Sequence, residues 1–109
     1  MNFEEILAAI FDRGDEERIG DPAEERETIR LAQGGDQDAS LALIFAYAPT
    51  LRAHTARHAA RLGAEDARAV AVSGLLEAVH AFDVEGSYDR LGGLASRHIA
   101  DRLAEEDTS

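Results

Sequence analysis

The chain contains no cysteine, which excludes disulfide staples, thiolate catalysis and cysteine-based zinc sites, and fits a reducing compartment. Lysine is absent too: all eleven basic residues are arginine, set against 22 Asp and Glu for a formal charge of -11. Such an acidic excess opposes indiscriminate binding to nucleic acid, because that affinity comes mainly from basic side chains neutralising phosphates. No uninterrupted apolar run approaches the length of a membrane span, and Met1-Asn2-Phe3-Glu4-Glu5 lacks the basic start of a secretory signal. These absences set the expectation of a cytoplasmic protein with no membrane contact. Catalytic patterns are missing as well. There is no Gly-rich phosphate loop after a strand and no nucleophile elbow, and Ser40, Ser73, Ser87 and Ser96 have no His and acid beside them in sequence. Acid pairs such as Glu4-Glu5, Glu16-Glu17 and Glu24-Glu25 lie beside arginines and read as solvated. A non-enzyme without cofactor, metal site or catalytic residues is expected.

What the chain does have is helical periodicity, over 109 residues that support one domain without metal or disulfide. Phe3, Ile6, Leu7, Ile10 and Phe11 recur at the spacing of an amphipathic helix. Asp21 as N-cap and Pro22 in the first turn start a second helix that runs to about Ala32 and closes at Gly34-Gly35. Asp36 or Asp38 caps a third, carrying Leu41, Leu43, Ile44 and Tyr47. Pro49 ends it and opens a fourth, with Leu51, Thr55, Ala59 and Leu62 on one face until Gly63. The fifth, about Ala64 to Phe82, is the most apolar and belongs at the centre, with Ala67, Ala71, Leu75, Ala78 and Phe82 inward, flanked by Val72, Leu76 and Val79. A last helix from about Arg90 to Leu103 turns Leu91, Leu94, Ala95, Ile99 and Leu103 inward, and Gly92-Gly93 should make its first turn labile. The expected fold is all-α, a compact bundle of about five to six helices. An acidic amphipathic arm occupies residues 1–20, the helical domain residues 21–104 and an acidic disordered tail residues 105–109; residues 12–20 are also expected to be disordered.

Charge is unevenly spread. Residues 1–27 carry ten acids and three arginines, residues 28–63 two acids and four arginines, and residues 64–109 ten acids and four arginines. His54, Arg57 and Arg61 would share a face of the fourth helix, with His58 at its edge and Arg52 elsewhere on it. This weakly basic stripe is either a phosphate-tracking surface or a solvated helix face. His54 and His58 one turn apart have no acid nearby on that helix to complete a metal site.

Between Gly35 and Leu103 the landmarks Gly35-Asp36, Tyr47-Ala48-Pro49, Ala64-Glu65-Asp66 and Phe82-Asp83 stand in a distinctive order. That order and spacing resemble the second region of bacterial RNA polymerase sigma factors, over about two thirds of the chain. The match is strongest from Ala64-Glu65-Asp66 through Gly74-Leu75 and Ala78 to Phe82-Asp83. The resemblance implies an all-helical module that docks on polymerase and takes part in opening promoter DNA. It implies a docking stripe on the fifth helix, placed by periodicity at Asp66, Ala69, Val70, Ser73, Glu77 and His80, with Asp66, Ala69, Val70, Ser73 and Glu77 as the partner-binding residues; the other reading of the stripe is a solvated face. Where the family has a Gln-Glu pair this chain has Ala69-Val70, giving the contact a more apolar character. Where the family has two aromatic residues used in opening DNA, this chain has Arg97 and His98, with Tyr88 the nearby aromatic; Arg can bind phosphate but cannot replace two rings. Arg97 could equally pair with Asp101 one turn on. Arg57, Arg61, Arg90, Arg97 and His98 are therefore the weak nucleic-acid-binding candidates.

The resulting expectation is a sigma-like transcription protein that binds RNA polymerase core or another transcription factor subunit and meets DNA only weakly or within a complex. On this resemblance the chain is expected to lack the helix-turn-helix domain with which full sigma factors read the upstream promoter element. The alternatives are a protein-interaction module of the same fold with no part in transcription, and a direct DNA-binding protein. The arm either packs Phe3, Ile6, Leu7, Ile10 and Phe11 into the core or lays its acids over His54, Arg57 and Arg61, as the acidic N-terminal segment of primary sigma factors can block nucleic-acid access.

Overall fold

Asp21 opens the helix that begins at Pro22 by accepting a hydrogen bond from the Ala23 amide (2.7 Å), with Pro22 in the first turn where its missing N–H costs nothing. The computed structural model describes residues 5, 9, 21–86 and 91–108, all helix or short connections. The helices are α1 (Pro22–Gln33), α2 (Gln37–Ala46), α3 (Ala48–Ala56), α4 (Ala59–Leu62), α5 (Ala64–Ala81) and α6 (Leu91–Thr108). The all-α expectation holds, with six helices among the described residues. The amphipathic pattern from Phe3 to Phe11 and the stretch 12–20 lie outside them, apart from Glu5 and Ala9, which are helical.

The landmarks noted in the sequence between Gly35 and Asp83 fall on helix boundaries, each for a local reason. Gly35 has φ +100°, and the Gly35 and Asp36 amides bond back to the Ala32 and Leu31 carbonyls, closing α1 with a left-handed cap. Asp36 then caps α2 through the Ala39 amide. Tyr47 is the hinge between α2 and α3, followed by Pro49 in the first turn of α3. Gly63, φ +85°, turns the chain into α5, where Glu65 and Asp66 complement the helix dipole. Phe82 is buried at the C-terminus of α5, and the Asp83 carboxylate accepts from the Glu85 and Gly86 amides to start the next turn.

α5 is the central helix: it packs against each of the other five, most extensively against α6. Ala67, Ala71, Val72, Leu75, Ala78, Val79 and Phe82 are buried as the periodicity required, with Leu76 half-buried. Gly74 makes the α5–α6 contact close. A Cβ built there would stand 2.9 Å from Ile99 Cα and 3.0 Å from the His98 carbonyl oxygen, so only glycine fits.

Two helix boundaries differ from the sequence reading. The expected fourth helix is broken into α3 and α4 at Arg57-His58, where amides bond three residues back, to His54 and Thr55. Thr55 contributes: its buried hydroxyl donates to the Leu51 carbonyl and contacts that of Arg52, a back-bonding pattern that bends helices. His54, Arg57 and Arg61 therefore do not lie along one continuous helix. At the other end, α6 runs through Thr108 rather than stopping near Leu103, so the acidic tail is helical to that point. Acids are unfavourable at a helix C-terminus, and here they have partners: Arg61 lies 3.6 Å from Asp107, Arg102 lies 3.7 Å from Glu105, and His58 Nδ1 lies 2.6 Å from Asp107.

Candidate functional site

Three groups of polar side chains organise the surface and its seams. The first is the α5 stripe. Asp66, Ala69, Ser73, Glu77 and His80 are exposed as expected, but Val70 is half-buried and packs against the core, so it borders the stripe rather than projecting from it. Glu77 is committed elsewhere: its carboxylate lies 3.4 Å from Arg102 Nε and 3.8 Å from His98 Nδ1, both on α6. Of the five partner-binding candidates, the open ones are thus Asp66, Ala69 and Ser73, small side chains after one acid. Of the nucleic-acid candidates, His98 thus lies beside a carboxylate on α5. Arg57 and Arg97 are exposed, Arg61 is exposed but shares Asp107 with His58, and Arg90 lies outside the described residues.

The second group is the seam between α3, α4 and α6. His54 Nε2 and Ser96 Oγ are 3.1 Å apart, so one of the serines that stand alone in sequence does meet a histidine, 42 residues distant. This pair is poorly placed for nucleophilic chemistry. Burial first, then the field of Arg57, then that of His58, hold the His54 pKa below its ordinary value of 6.5, whereas a general base that activates serine needs an acid to stabilise its imidazolium. The acid of the seam, Asp107, bonds His58 instead. His54 and His58 thus serve as packing contacts to α6.

The third group is Glu25, which belongs to an acid pair that reads as solvated but is only 2% exposed. The signal was present: Glu25, Ile29 and Ala32 follow i, i+4, i+7 and form the buried face of α1. Glu25 Oε2 accepts from the Tyr47 hydroxyl (2.8 Å) and Oε1 from the Leu91 amide (2.7 Å), the first N–H of α6. The first turn of α6, weakened by Gly92-Gly93, is therefore anchored by a carboxylate from another helix. Two turns along α1, Gln33 Nε2 donates to the Val79 and Phe82 carbonyls, each at 2.8 Å, and satisfies the C-terminus of α5. α1 therefore closes the ends of both long helices.

No helix among the described residues is long and apolar enough to cross a membrane. Comparison of the chain with protein-family models, curated proteins and solved structures finds no match.

Proposed function

We propose that the chain is a sigma-like, non-catalytic helical module that docks on RNA polymerase, or on a factor acting with it, through the α5 stripe at Asp66, Ala69 and Ser73. The observation that carries this reading is the exposure of these three residues on the helix against which each of the other five described helices packs. A docking face borne by the central helix is held by the whole core and needs little ordering on binding. Support also comes from the ordered landmarks from Gly35 to Phe82-Asp83, and from Ala69-Val70, which makes the contact more apolar than a Gln-Glu pair. Glu77 contributes by holding α6 beside the stripe.

Ala69→Arg tests the reading better than a change at Val70, whose side chain also packs inward. Capture by core RNA polymerase should weaken at least about tenfold, equivalent to roughly 1.4 kcal/mol of binding, with helicity and melting temperature unchanged. Undiminished capture would remove the stripe from the mechanism. If the parent chain itself is not captured, the second reading takes over: a protein-interaction module with no part in transcription, which the apolar Ala69-Val70 pair also favours.

Direct DNA binding is a minor component in this reading, because Arg61 and His98 are drawn into pairs within the chain and the net charge is -11. Anisotropy titration with random duplex DNA near physiological salt should show no appreciable binding. Tight, steeply salt-dependent binding would reverse the assignment and place DNA ahead of protein as the ligand.

A further inference from the structure

The seam joining α3 and α4 to α6 brings together His54, Arg57, His58 and Arg61 on one side and Ser96 and Asp107 on the other. We propose that this seam is a proton-operated clasp: near neutral pH it holds the α3–α4 turn against α6, and protonation of His54 on acidification loosens it. The charge arrangement carries the argument. Asp107 is the acid that α6 contributes to this seam among the described residues, and His58 and Arg61 already share it. The contact that α6 offers His54 is the Ser96 hydroxyl, which cannot neutralise an imidazolium. A proton on His54 therefore adds a cation beside Arg57 and His58, and among the described residues no anion lies against it.

The backbone supplies a place to yield. The Arg57-His58 turn between α3 and α4 is held by bonds to the carbonyls three residues back, and α4 is only four residues long. Across the seam, the last turns of α6 carry Glu105, Glu106 and Asp107 at the dipole's negative end. Asp107 joins this end of α6 to the turn through His58 and Arg61, and Ser96 joins the helix to His54, so a displacement of the turn bears on α6 from Ser96 to Asp107.

The sign follows from linkage. A base whose folded-state pKa is lowered binds more protons when the seam is open, so stability is full above about pH 6.5 and falls as pH drops from there toward the folded-state value. Histidine ring NMR of the whole chain, titrated from about pH 8 to about pH 5, reads this directly. The His54 ring should titrate below its ordinary value, and the Ser96 and Asp107 amides should shift with the same midpoint. Melting temperature should fall across that window. In His54→Gln, whose amide can still meet the Ser96 hydroxyl, the transition at Ser96 should vanish and the acid-induced fall should be smaller. Unmoved Ser96 and Asp107 amides while His54 titrates, or a full acid-induced fall in His54→Gln, would overturn the clasp. If that variant does not fold, the titration of the parent chain decides alone.

Discussion

Glu25→Ala should lower the stability of the domain by roughly 3 to 5 kcal/mol, a large share of the 5–15 kcal/mol typical of a whole domain. The substitution removes a buried carboxylate that accepts from the Tyr47 hydroxyl and the Leu91 amide. Hydrogen bonds to a charged group contribute about 1.5–3 kcal/mol each, and a donor left buried without an acceptor bears its full desolvation cost. The loss also uncaps α6 at the turn that Gly92 and Gly93 already weaken. Glu25→Gln should cost far less, because its amide oxygen can still accept from Leu91, while its amide nitrogen can donate to the Tyr47 oxygen. Urea unfolding of the two variants and Tyr47→Phe separates charge from hydrogen bonding. A change within about 1 kcal/mol for Glu25→Ala would mean that water takes over both donors and that Glu25 is not the anchor of α6.

Gly74→Ala should destabilise by about 1–3 kcal/mol, although alanine is favoured over glycine in a helix by about 1 kcal/mol. The added methyl would meet backbone atoms of Ile99 and His98 at 2.9–3.1 Å, and backbone cannot swing aside as a side chain can. α6 would have to move off α5, and the Glu77 contacts with His98 and Arg102 would stretch with it. Gly93→Ala is the matched control. Nothing lies within 4 Å of its added carbon, so the helix preference should act alone and raise stability by up to about 1 kcal/mol. Thermal melts that rank the two glycines in the same direction would contradict the close packing at Gly74.

The core of α5 was legible because its apolar residues repeat at the helical period and the structure buries that same face. The helix starts at Asp21 and Asp36 and the stop at Gly34-Gly35 were legible because capping chemistry is local. Hidden from the sequence were contacts between residues far apart in the chain. Glu25 looks solvated until its spacing to Ile29 and Ala32 is noticed. Its partners at Tyr47 and Leu91, and the pairing of Ser96 with His54, depend on which helices meet. The acidic end of the chain reads as a disordered tail because its helix-supporting partners, His58 and Arg61, lie more than forty residues upstream. Within the candidate stripe, Asp66, Ala69 and Ser73 could be placed by periodicity alone. The inward packing of Val70 and the α6 partners of the exposed Glu77 could not, because periodicity fixes a direction around one helix and not the neighbour that stands there.

The bonds from α1 to the start of α6 and the end of α5 also determine how the molecule comes apart. A helix that closes the ends of two others cannot detach by itself, since its departure opens the first turn of one and the last turn of the other. In hydrogen-exchange terms, the Leu91 amide and the amides of α1 should become accessible in one event, at one free energy, although Glu25 and Leu91 are 66 positions apart in sequence. The N-terminal helix of the described domain and the helices farthest from it in sequence are then a single cooperative unit, with no partly opened state in which α1 alone is free.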